Sequence, residues 1–286
     1  MPQDGPTMKI TCWGARGSIP VSGKEYLKYG GDTTCLEIRS AAGDVVVVDC
    51  GSGVRRLGNR LVEEKLRRFT ILFTHSHWDH ILGFPFLKPV YDSKTKIDFH
   101  GCPFAQKSIQ TVIAKIMEPP QFPVNLGAIR AQLAFNEPCL SGFKIGSLKV
   151  TPIILSHPNQ GLGYKFQENG SAFVFLTDNE LRYRHPGGCA YEEYAAFCSG
   201  AEVLIHDAEF TDEDYRRTKT WGHSTSAQAV GLALETKVER FGLFHHNQDR
   251  PDSEVDAMVA DCRRLAGEKG SLLGCFGVTQ ETVIEL

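Results

Sequence analysis

The chain has 286 residues, 42% hydrophobic and 23% charged, with a formal net charge of -3. These proportions belong to a globular protein with a sizeable core and exclude a low-complexity or extended disordered chain. The near-neutral balance supplies no general field for a polyanion. The short basic runs Arg55-Arg56, Lys65-Leu66-Arg67-Arg68 and Arg216-Arg217 therefore read as solvated faces, and a small substrate ranks ahead of nucleic acid.

No apolar run is long enough to span a bilayer and no basic-then-apolar segment follows Met1, so a cytosolic location without membrane contact is expected. Nine cysteines, an odd number without a C-x-x-C pair, suit neither a disulfide framework nor a thiolate zinc site. Cys50 and Cys262 read as reduced core residues. The length is compatible with one layered domain over residues 1–286.

In chain order, apolar runs at 45–48 and 69–73 predict strands that close on Asp, Gly or His. Ile109, Val112, Ile113 and Ile116 share one stripe and predict a helix over 104–117, stopped by Pro119-Pro120. Strands follow at 150–155, 172–176 and 203–205, then a helix at 224–234, a strand at 241–244 and a helix at 253–265. Strands in both halves with helices between them fit an α/β chain built as an αββα sandwich of two mixed β-sheets flanked by helices, rather than a doubly wound parallel sheet.

Thr74-His75-Ser76-His77-Trp78-Asp79-His80 follows directly on the strand at 69–73. Alternation along an extended chain sends His75 and His77 the same way, and a turn into a helix brings Asp79 and His80 to an adjacent point. Imidazole nitrogens and carboxylate oxygens are donors that borderline divalent ions accept. One loop cannot complete two sites, and further donors do stand after other apolar strands: His157, Asp178 and His245. With no thiolate in the set, two divalent ions are expected, zinc in the first place, with manganese or iron also accommodated.

On these residues the chain resembles the metallo-β-lactamase superfamily, from about Lys9 to Leu286. The resemblance implies that His75, His77 and His157 bind one metal, that Asp79, His80 and His245 bind the other, and that Asp178 bridges both. It also matches Asp49, in Val48-Asp49-Cys50-Gly51-Ser52-Gly53, to an early Asp that supports the metal loop. Ile205-His206-Asp207-Ala208-Glu209-Phe210 and Gly222-His223-Ser224-Thr225 resemble two motifs of the phosphodiesterase branch, which contains tRNA 3'-end endonucleases and cyclic-phosphate phosphodiesterases. By that resemblance Asp207 orients His223, although the endonucleases usually carry Glu at that position. Trp13-Gly14-Ala15-Arg16-Gly17-Ser18-Ile19-Pro20 and Tyr29-Gly30-Gly31-Asp32-Thr33-Thr34-Cys35 resemble the opening of bacterial proteins often assigned as cyclic-nucleotide phosphodiesterases; the glycines there serve either tight turns or phosphate.

The chemistry that follows is phosphoryl transfer to water. Two ions would activate the water and offset charge growing on phosphorus, Asp79 would shuttle a proton as well as ligate, and His223 would assist the departing oxygen. Ser224 would cap the helix predicted from 224, leaving its free N–H groups to a phosphate. The expected substrate is a small phosphodiester, foremost a 3',5'-cyclic nucleotide, with the helix over 104–117 and Gln121-Phe122-Pro123-Val124 as an apolar wall against its base.

The runner-up is a tRNA 3'-processing endoribonuclease. Such enzymes often carry a long Gly/Pro-rich arm between the positions of His157 and Asp178, where this chain has only about twenty residues. A thioester hydrolase could use nearly the same ligands, but the Asp207 and His223 pair stands against it. Antibiotic hydrolysis is weaker still, because zinc β-lactamases commonly place Cys where Asp178 stands. A metal-bound sensor without catalysis is opposed by the complete ligand set. The sequence leaves open a homodimer and whether His246 assists His245.

Overall fold

In the computed structural model, which describes residues 7–101, 108–136 and 140–286, period-two alternation of apolar side chains builds two sheets. The strands are β1 (Lys9–Gly14), β2 (Cys35–Arg39), β3 (Val45–Val48), β4 (Arg68–Phe73), β5 (Lys96–Gly101), β6 (Gln132–Phe135), β7 (Phe143–Ile145), β8 (Leu148–Ile154), β9 (Leu162–Glu168), β10 (Ser171–Leu176), β11 (Val203–Asp207), β12 (Arg240–Phe244), β13 (Gly274–Gly277) and β14 (Val283–Glu285). One seven-stranded sheet runs β14-β1-β2-β3-β4-β5-β6 and the other β13-β12-β11-β10-β9-β8-β7. Both are mixed: pairing is antiparallel from β14 to β3 and from β7 to β10, and parallel from β3 to β6 and from β10 to β13.

The helices are α1 (Val54–Glu63), α2 (Trp78–Ile81), α3 (Ile109–Ile116), α4 (Tyr191–Cys198), α5 (Asp212–Thr218), α6 (Ser226–Thr236) and α7 (Asp252–Glu268). Val46 and Val48 of β3 point between the sheets with Leu72, Phe173 and Phe175, while Val45 and Val47 point outward to Leu57 and Leu61 of α1. In β10 the same alternation puts Ala172, Val174 and Leu176 on the opposite face, against Ala229 and Val230 of α6 and Val259 and Cys262 of α7. Three apolar layers therefore separate four layers of backbone, the αββα sandwich. Each wholly buried side chain of this kind contributes roughly 1.5–3 kcal/mol.

The predicted elements are present with shifted ends. The strand expected at 203–205 continues through His206 and Asp207, and the helix expected from 224 begins at Ser226. The helix expected over 104–117 runs from Ile109 to Ile116, because Ser108 caps it by accepting from Thr111 N–H; residues 104–107 lie outside the described residues. Among the described residues no helix is long and apolar enough to cross a membrane.

Candidate metal centre

The site lies where strands of both sheets end. β3 leads into Asp49, β4 into Thr74 and His75, β8 into Ser156 and His157, β10 into Asp178, and β12 into His245. Asp49 (φ 62°), Asp178 (φ 53°) and His245 (φ 59°) adopt the left-handed conformation, which non-glycine residues rarely enter. Such conformations persist where the surroundings hold them, and they cluster at functional sites.

The structure brings all seven expected ligands together. His75, His77, His157 and Asp178 form one group and Asp79, His80, Asp178 and His245 another, with donor atoms inside each group within 4.8 Å of one another. Asp178 belongs to both. Among the described residues, His75 Nε2 and His80 Nε2 are buried without a hydrogen-bond partner. A buried, unpaired nitrogen is costly unless something accepts its lone pair, so these two groups fit a pair of divalent cations.

Neighbouring acceptors aim the imidazoles. His80 Nδ1 lies 2.7 Å from Asp49 Oδ2, His245 Nδ1 3.0 Å from Glu209 Oε2, and His157 Nδ1 2.9 Å from the carbonyl of Gly222. Donation from each Nδ1 leaves Nε2 facing the cluster, the arrangement that commonly orients metal-binding histidines. Asp49 also accepts from Thr74 N–H at 2.8 Å and from its hydroxyl at 2.7 Å, so one buried carboxylate fixes the entire turn out of β4.

Ionisation follows the same geometry. Burial holds His75 and His77 below the usual imidazole range and brings His157 to about 3. Burial also works against charge on His80 and His245, but the surrounding carboxylates, Asp79 and Asp178 foremost for the first and Asp178 for the second, hold both well above that range. Asp79 and Asp178 are likewise opposed by burial yet held ionised by their histidines. The cluster thus concentrates negative charge that draws in compensating positive charge, the role a cation fills.

Sequence reasoning missed three supports, two of which touch the cluster itself. Glu209 holds His245 and accepts from Asn247 Nδ2 at 2.8 Å. The loop at Arg16-Gly17-Ser18 closes the other side: Ser18 N–H donates to Asp79 Oδ2 at 2.9 Å, and a Cβ on Gly17 would overlap the His245 ring. The glycine therefore serves close packing against the cluster. Replacing Gly17 with Ala is expected to displace His245 and lower metal content below two equivalents per chain, read by elemental analysis; a normal metal content would show that the loop yields instead.

His223 stands beside the cluster, its ring 4.7 Å from that of His245 and 5.2 Å from that of His157. Its Nδ1 lies 2.8 Å from Asp207 Oδ2 and 3.4 Å from Glu209 Oε2, so the shorter Asp reaches the histidine without difficulty. Glu180, also missed, is buried and accepts from Gly222 N–H, Thr220 N–H and the Tyr215 hydroxyl, clamping the loop that presents His223. Gly222 itself sits at φ 97° with no room for a side chain beside His157.

One expectation needs correction, and one open question is answered. Ser224 does not cap α6; its hydroxyl donates to Asn179 O, while Thr225 and Gln228 form the capping box. Gln228 N–H is taken by Thr225 and Ser226 N–H by Phe210 O, so the helix start offers a phosphate less than the sequence implied. His246 does not assist His245: its Nε2 lies 2.8 Å from Val278 O, with Tyr29 edge-on at 5.0 Å. Phe122 is half-buried and edge-on to Phe86 at 5.7 Å.

The "Ribonuclease Z" of Haloferax volcanii is 22% identical to this chain over 84% of each protein. The metallo-beta-lactamase fold protein YhfI from Bacillus subtilis superposes with a TM-score of 0.71 at 17% identity, covering 98% of this chain and 100% of that one. Human tRNase Z, short form, superposes with a TM-score of 0.65 at 19% identity, covering 96% and 98%. The family model described as "Beta-lactamase superfamily domain" matches residues 45–246, a span that contains every candidate ligand above. With the metallo-β-lactamase fold and this match over most of its length, the chain belongs to the beta-lactamase superfamily domain family.

Proposed function

We propose that this chain is a two-metal phosphodiesterase that cleaves RNA near a 3' end, the reading that ranks second from sequence alone. The observation that carries phosphodiester chemistry is the Asp207-His223 pair standing against a dinuclear cluster. His75, His77 and His157 would hold one ion, Asp79, His80 and His245 the other, and Asp178 both. When bound, zinc, or manganese or iron, would supply Lewis acidity and a water activated near neutral pH.

The chain's own residues do the rest. Burial works against charge on His223, but Glu209 and Asp207 raise its pKa to about 9, so it carries a proton at neutral pH for the departing oxygen. Ser18 N–H holds Asp79 in place, and Glu209 and Asp49 keep His245 and His80 turned inward.

Support for RNA over a cyclic nucleotide comes from the relatives called Ribonuclease Z, which match along most of their length. The small-substrate ranking rested on net charge, an average over the surface, together with the phosphodiesterase motifs, the missing arm and the resemblance of the N-terminal segment. Arg216, Arg217 and Lys219 are exposed at the end of α5 and precede His223 by a few residues, a local run of positive charge that the whole-chain balance hides. Between His157 and Asp178 the chain forms the β9–β10 hairpin, turned at Asn169-Gly170, so RNA would be gripped elsewhere.

Precursor tRNA with a 3' trailer, 3',5'-cyclic AMP and bis(p-nitrophenyl) phosphate should be compared on zinc- or manganese-loaded protein. The expected result is trailer removal with kcat/KM roughly tenfold or more above that for the cyclic nucleotide. Preference for the cyclic nucleotide would restore the first sequence reading, and thioester hydrolysis without diester cleavage would remove both.

A further inference from the structure

We propose that the apolar cavity on the outer side of α2 is a nucleobase subsite that seats the base next to the scissile phosphate; this rests on the phosphodiesterase reading and names a group it recognises. The cavity measures about 400 Å³ and is lined chiefly by Trp78, Ile81, Phe86, Ile116 and Phe122, with Lys115 at its edge.

Its position argues for a substrate group. α2 is a single turn in which Asp79 and His80 are buried toward the cluster while Trp78, between His77 and Asp79, is 77% exposed. A tryptophan that exposed contributes little to the core, yet it stands in the chain between two candidate ligands and lines the cavity. Phe86 is 54% exposed and meets Phe122 edge-on at 5.7 Å. Neighbouring exposed aromatics around a concavity mark a binding site more often than a packing fault.

The chemistry favours a base over an aliphatic chain or a second copy of the protein. Flat aromatic walls stack on any base with little regard to its identity. The volume suits one nucleoside-sized ligand and is too confined for the broad patch that a stable dimer buries. A base seated here shares α2 with Asp79 and His80, so its own phosphate falls beside the cluster.

Binding of adenosine 5'-monophosphate and of ribose 5-phosphate to zinc-loaded protein, measured by calorimetry, tests the subsite without requiring turnover. The nucleotide is expected to bind roughly 10- to 100-fold more tightly. Phe122→Ala and Trp78→Ala should abolish that preference, and Trp78→Phe should retain most of it, with metal content unchanged in all three. Equal affinities in the unaltered protein, no binding of either ligand, or a preference that survives both alanine variants would overturn the proposal. So would a dimer that dissociates in Phe86→Ala while the nucleotide preference persists, which would make the cavity a contact between copies. Bis(p-nitrophenyl) phosphate turnover separates the two readings: its absence in the unaltered protein refutes the phosphodiesterase, while the base preference alone decides the subsite.

Discussion

Replacing Asp178 with Ala is expected to lower diester turnover by at least roughly 100-fold and to weaken metal occupancy at both positions together. Asp178 Oδ1 lies 3.3 Å from His80 Nε2 and 3.4 Å from His245 Nε2, while Oδ2 lies 3.5 Å from His75 Nε2 and 3.8 Å from His157 Nε2. One oxygen thus faces each group, and among the described residues no other carboxylate belongs to both. Its loss removes a shared donor and a buried negative charge at once. Alanine is also poorly suited to φ 53°, so Asp178→Asn, which tolerates that conformation and keeps the shape, separates backbone strain from lost charge. Elemental analysis and anomalous scattering should show coordinated loss in both variants. Two full equivalents of metal in Asp178→Ala would show that it is not the shared ligand.

The positions of the candidate ligands were legible because each signal is local: a donor shortly after an apolar strand, repeated at the ends of β4, β8, β10 and β12. The core was legible for a similar reason, since Val45–Val48 alternate between two apolar layers and can do so only as a strand covered on both faces. Glu209 was within reach of the same reasoning. It stands two residues after Asp207 at the end of β11, so alternation points both toward the two histidines they hold. The start of α6 also carried its own mark, Thr225 with Gln228 three residues on, which outweighs Ser224 as a cap. The packing of Gly17 on His245 was not legible, because it depends on two segments more than two hundred residues apart meeting in the tertiary fold. Substrate choice was not legible either, because whole-chain charge averages over the surface and does not give the sign of the charge beside the site.

His223→Ala is expected to slow turnover by roughly 10²- to 10⁴-fold while metal content stays near two equivalents per chain, because the residue lies beside the ligand groups and supports none of the seven donors directly. The pH profile distinguishes proton donation from packing. Burial alone would depress the pKa of His223, yet Glu209 and Asp207 raise it to about 9. A raised pKa means that the proton is held at neutral pH and lost as pH rises through that value, so activity should fall on the alkaline side. Two bound cations add positive charge nearby and move that limb below 9 without removing it. Asp207→Asn deletes one of the two stabilising negative charges and should shift the limb to lower pH, with a smaller loss at its optimum than His223→Ala causes. In His223→Ala the limb should vanish from the residual rate. If the alanine variant instead loses its metals or unfolds, or if its rate keeps the same alkaline limb, His223 packs the site and another group protonates the departing oxygen.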